Sequence, residues 1–173
     1  PKTQSALLES MEERNVTYDG VTHKLPAPHM VIATQNPIEL GGTYALPEAQ
    51  LDRFMMSLSM GYPSASDEAL ILQDAISKQK LSAVITLDDF FEIQKIAETI
   101  FVSPIVTDYI VALSQATRTN SSVALGVSPR GSLAIYKAAQ VLALSLGRHY
   151  VIPDDIKALA PKIWEHRLIL TPK

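Results

Sequence analysis

Beyond residue 63, the breaks between apolar segments are of the kind that start and stop helices. Ser103-Pro104 and Ser128-Pro129 each put a hydroxyl at an N-cap and a proline at the first helical position, where its missing N–H is no loss. Thr86 is followed three residues later by Asp89, a variant of the capping box. A further helix is expected from Ser66 to about Lys78. The segment "LAIYKAAQVLALSL" is apolar on nearly all sides, which predicts the most buried helix, ended by Gly147. In the last helix, Ile156, Leu159, Ala160, Ile163 and Trp164 follow the i, i+3, i+4, i+7, i+8 spacing of one helical face. Ile152 is a weak point, because a polar N-cap would suit Pro153 better. These signals predict an all-α domain over residues 64–173.

Residues 1–63 read differently. "PKTQSALLESMEERN" sets Leu7, Leu8 and Met11 at helical spacing. "VTYDGVTHKL" alternates around Asp19-Gly20, a dipeptide that accepts the positive φ of a tight hairpin turn. "HMVIAT" is short and apolar, like a strand covered on both faces, and "FMMSLSM" suggests another. Between them, Glu48 to Arg53 fits one or two helical turns. The expected fold class is therefore α/β followed by all-α, with the division near residue 63. So few strands make a poor sheet on their own. With Pro1 in first place, the chain is expected to be a piece of something longer.

Composition limits the function classes. Apolar residues make up 47% and charged residues 19%, which suits a folded core and argues against disorder. The absence of cysteine excludes disulfides and thiolate metal sites. Fifteen basic against 18 acidic residues give a net charge of −3, so there is no general attraction to nucleic acid. No apolar run nears the ~20 residues that span a bilayer, and no signal-peptide pattern is present, so the cytoplasm is the expected compartment.

Three residues are candidates for phosphate chemistry. Asn36 ends the apolar stretch before Pro37, where ligands bind in open α/β sheets, and its amide can orient a water or touch a phosphate oxygen. The plainer alternative is a turn cap. Arg53 follows the short helix, either as a salt-bridge residue or as a finger that spreads its charge over a transferring phosphoryl group. Arg130 falls in the first turn of the helix begun by Ser128-Pro129, where the macrodipole disfavours a cation. That placement makes sense if Arg130 shares an anion with the helix terminus, and Gly131 would leave room for the ligand. The alternative is a side chain extended into solvent. His23, His29, His149 and His166 show no metal-ligand spacing, and His166-Arg167 suits the C-terminal end of a helix dipole. Asp154 and Asp155 read as first-turn charges, and Trp164 and the Met55-Met56 pair as core.

The stretch "ATQNPIELGGTYALPEAQLDRF", then "GYPS", and later "GVSPRGSLAIYKAAQVLALSLGRHYVIPDDIKALAPKIWEHRLIL", resembles the MoxR family of AAA+ ATPases across essentially the whole chain. The resemblance implies that Asn36 is the sensor 1 residue, Arg53 the arginine finger and Arg130 sensor 2, acting in its own subunit or in the neighbour's. Residues 15–26 correspond to the hairpin before sensor 1, a mark of the clade that includes magnesium chelatase and MCM helicases. The family implies ATP and Mg2+, a hexameric ring, partners with von Willebrand factor A domains, and chaperone-like remodelling or maturation of other proteins. Residues 1–63 would then be the C-terminal portion of the ATPase core, and 64–173 the helical lid.

The departures are equally informative. The sequence contains no G-x-x-x-x-G-K-[ST], so the phosphate-cradling loop and its lysine are missing. The acidic Walker B box should lie just ahead of "PKTQSALLESMEE". These 173 residues are therefore expected not to hydrolyse ATP by themselves. Two other readings remain open: a magnesium-chelatase-like motor subunit, and a non-catalytic helical interaction module whose arginines make protein contacts.

Overall fold

The computed structural model describes residues 9–35, 46–73 and 81–172. It divides into two compact units, Pro1–Met55 and Met56–Lys173. In the first unit, residues 9–13 are helical. They lead into an antiparallel hairpin of β1 (Asn15–Tyr18) and β2 (Val21–Lys24). Its register pairs Tyr18 with Val21 and Asn15 with Lys24. Asp19 and Gly20 have φ of 49° and 76°, the left-handed turn that this dipeptide favours. Thr17 faces Thr22 across the strands and donates its hydroxyl to Glu9, tying the hairpin to the helical turn before it. A four-residue helix, α1 (Glu48–Leu51), follows.

The expected strand over "HMVIAT" does not form. Residues 29–35 belong to no strand, and Met30 and Ile32 are exposed. A strand covered on both faces needs neighbours to take its N–H and C=O groups, and none pairs with it among the described residues. "FMMSLSM" likewise runs without a sheet partner among the described residues, its Ser57 N–H donating to the Lys162 carbonyl at 2.8 Å. Met55 and Met56 are exposed there too, so they are not core.

The second unit is helical, as the capping signals demand. It holds α2 (Ala65–Leu72), α3 (Leu87–Thr99), α4 (Pro104–Thr119), α5 (Pro129–Ser145) and α6 (Pro153–Trp164). Thr86 and Asp89 form a full capping box, and these bonds hold the Asp89 carboxyl below its ordinary pKa. Ser103 and Ser128 cap α4 and α5, each with proline at the first helical position. Gly147, at φ 71°, follows the end of α5. At α6 the weak Ile152 cap is relieved by Asp155, which accepts the Ile152 N–H at 2.9 Å. Asp155 is itself buried and also receives both guanidinium nitrogens of Arg148, so it is more than a first-turn charge. That hydrogen bond pushes the Arg148 pKa above its ordinary value.

The core gathers between α4, α5 and α6 around Ile135, Ile156 and Ile163, all fully buried, with Val106, Ile110 and Trp164 beside them. The α5 helix buries Ile135, Ala138, Ala139 and Ala143 but leaves Leu133 and Val141 about half exposed. Its all-round apolarity therefore does not mean all-round burial. Two short strands, β3 (Val123–Leu125) and β4 (Ile169–Leu170), pair antiparallel beside this bundle. Among the described residues, no helix is long and apolar enough to cross a membrane.

Candidate functional site

Arg53 leaves the end of α1 in a tight succession of turns, its own N–H donating to the Gln50 carbonyl at 3.2 Å. Its guanidinium pairs with Glu12, on the helical turn that precedes the hairpin. The ion pair joins residues 41 positions apart and leaves the Arg53 side chain 24% accessible. The salt-bridge alternative thus describes this side chain, whose Nε and Nη1 are buried. Asn36 lies outside the described residues.

Arg130 occupies the second position of α5, just after Ser128 and Pro129, and is exposed. The Ser128 hydroxyl accepts the Gly131 N–H at 3.1 Å, which fixes the start of the helix. An exposed guanidinium here adds its charge to the positive end of the helix. The expectation that Gly131 leaves room for a ligand is not met. A Cβ on Gly131 would come within 2.7 Å of Val127 Cγ1 and 2.9 Å of Arg167 Cδ. The space is already filled by the protein. The Gly131 carbonyl also accepts the indole N–H of Trp164 at 3.1 Å.

Two further arginines support this helix start: Arg118, not among the expected residues, and Arg167, expected only to suit the C-terminal end of a helix dipole. Arg167 is buried, donates to the Ile163 carbonyl at the end of α6, and packs its stem on Gly131. Arg118 donates Nε–H to the Val127 carbonyl at 2.7 Å and lies against Gly126, where a Cβ would meet it at 2.8 Å. The signal for both was in the sequence, as glycines placed three residues either side of Ser128-Pro129 or closer, but glycine spacing does not name the side chain that fills the gap. We expect Gly131→Ala to destabilise the helical unit by ~1–3 kcal/mol, because overpacking against two buried side chains outweighs the better helix propensity of alanine. Thermal unfolding would show this, and a rise in melting temperature would disprove the close packing.

Arg53 and Arg130 fall in different units, and each is fixed within its own. Comparison with known proteins covers both units. Residues 1–56 match the family described as ATPase family associated with various cellular activities (AAA), and residues 115–173 match the AAA lid domain. The chain is 52% identical over its whole length to the protein YeaC of Bacillus subtilis, covering 55% of that protein. It is 44% identical over 98% of its length to Chaperone MoxR1 of Mycobacterium tuberculosis, covering 48% of that protein. A crystal structure of a candidate ATPase from Cytophaga hutchinsonii superposes with a TM-score of 0.88 at 35% identity, over 98% of this chain and 55% of the other. The chain thus spans about half the length of the relatives it matches. A partial AAA core and a helical lid, in that order and with those relatives, identify it: the chain belongs to the MoxR family of AAA+ ATPases.

Proposed function

We propose that this chain supplies the nucleotide-sensing half of a MoxR-type motor, which couples ATP hydrolysis to chaperone-like remodelling or maturation of partner proteins in the cytoplasm. Residues 1–63 are then the C-terminal portion of the ATPase core and 64–173 its lid. Arg130 carries this reading: it is an exposed cation set on the positive end of a capped helix, an arrangement that an isolated helix disfavours and a bound phosphate favours. Asn36 contributes sensor 1, and Arg53 acts as the finger toward a neighbouring subunit in a hexameric ring. The substrate is ATP with its Mg2+, whose charge neutralises the phosphates while the arginines stabilise the negative charge that develops on transfer. Residues 1–173 carry no phosphate-binding loop motif, so by themselves they are inactive in this reading. The partner class is a von Willebrand factor A domain protein. Similarity to Chaperone MoxR1 supports the general kind of activity.

The test is ATPase activity of the full-length protein in mixtures of wild-type and Arg53→Ala subunits, with ring formation checked by light scattering. Activity should fall faster than the wild-type fraction if Arg53 works across a subunit interface. A strictly proportional fall would mean that each subunit acts alone. In the same protein, Asn36→Ala should lower kcat by about 10- to 100-fold, as loss of a group that positions the attacking water, with little change in ATP affinity. Equal loss of binding and turnover would return Asn36 to the role of a turn cap.

A further inference from the structure

We propose that Glu12 is a positioning residue that holds Arg53 in its working orientation, an inference that rests on the finger reading above. The element that presents Arg53 grips it weakly: α1 has four residues, no side-chain cap bond and no buried residue. An arginine there has many rotamers to lose before it can meet a phosphate in a fixed geometry. What restrains it is the Glu12 carboxylate, paired with Nη1. The support is itself anchored, because Glu9, one helical turn earlier on the same segment, receives the Thr17 hydroxyl of β1 at 2.6 Å. The hairpin, the helical turn and the arginine are thus joined by two carboxylates at i and i+3.

A guanidinium offers five N–H donors in one plane; Nε and Nη1 of Arg53 are buried, with Glu12 beside Nη1, so this side of the fork is held and Nη2 is the remaining nitrogen for a phosphate. Arg53 keeps 24% of its side chain accessible while paired, and Glu12 keeps 42%. Glu12 touches no nucleotide in this scheme; it acts through Arg53.

The experiment measures kcat and KM for ATP in the full-length protein for Glu12→Ala, Glu12→Gln, Arg53→Ala and the Glu12→Ala/Arg53→Ala pair, with ring assembly checked for each. Glu12→Ala should lower kcat on the order of 10²-fold with KM unchanged, the scale of a misplaced catalytic group. Glu12→Gln, which keeps the shape and a polar oxygen toward the guanidinium but loses the charge, should fall between Glu12→Ala and wild type. The double variant should be no slower than Arg53→Ala alone. Wild-type or higher kcat in Glu12→Ala overturns the proposal, as does an equal loss of assembly and turnover that Glu12→Gln does not relieve. If Glu12→Ala does not assemble, Glu12→Gln decides alone: lower kcat at unchanged KM supports the role, and wild-type kcat removes it. An inactive Arg53→Ala beside a fully active Glu12→Ala discards Glu12 and keeps the finger. A fully active Arg53→Ala discards the finger itself.

Discussion

Replacing Arg53 by alanine in the full-length protein is expected to lower ATP turnover by ~10³-fold while nucleotide binding stays near wild type. The asymmetry follows from where the charge appears. The transferring phosphoryl group spreads negative charge over its equatorial oxygens chiefly in the transition state, so a finger stabilises that state far more than the bound nucleotide. Binding energy in the ground state comes from the phosphate-cradling loop, which this chain does not contain. Arg53→Lys should recover little, because a point ammonium cannot bridge two oxygens as a planar fork does. Steady-state ATPase assays paired with a fluorescent-nucleotide titration separate the two effects. Unchanged turnover in Arg53→Ala would falsify the finger assignment, and the Glu12 pair would then be an ordinary ion pair of modest stability.

The second large effect is expected at Trp164. It is the sole tryptophan of the chain, is 5% accessible, and closes the core between α5 and α6. Trp164→Ala should destabilise the helical unit by ~3–5 kcal/mol, through lost apolar burial and the cavity left behind. That is a large share of the ~5–15 kcal/mol by which a domain is stable. The indole also donates to the Gly131 carbonyl at the start of α5, so the substitution reaches the turn that presents Arg130. Trp164→Phe separates the two contributions. It keeps most of the packing and removes the N–H, and should cost ~1–3 kcal/mol if that buried carbonyl is left without its donor. Urea unfolding followed by circular dichroism is the suitable readout, since these variants lack the fluorophore. A Trp164→Phe protein as stable as wild type would show that the hydrogen bond contributes nothing.

The candidate site was legible to different depths. Arg53 and Arg130 stood out from the residues around them, one after a short helix and one at a helix start where cations are disfavoured. Arg53 is held by a side chain that the sequence did not point to. Glu12, 41 positions before Arg53, is that partner. Arg167, 36 positions after Gly131, was expected only as a helix-end charge, and its stem takes the space beside Gly131. Burial of arginine cannot be read from its type, because a guanidinium enters a protein only where carbonyls or carboxylates are already arranged to receive it.

Elements whose backbone needs are met within a few residues were determined by the sequence alone. Ser103, Ser128 and the Thr86–Asp89 box each satisfy a helix terminus three residues away, and Asp19-Gly20 closes its hairpin on neighbouring residues. The i, i+3, i+4 stripe of α6 likewise named its own buried face. Tertiary structure decided the rest. "HMVIAT" has the composition of a strand, but a strand is completed by partners from elsewhere, and residues 29–35 have none among the described residues. Met55 and Met56 are apolar enough for a core and remain exposed, while the apolar α5 buries one side and shows Leu133 and Val141 on another. Local hydrogen bonding is encoded in neighbouring residues; burial and strand pairing depend on which distant surfaces arrive, and only the folded chain brings those together.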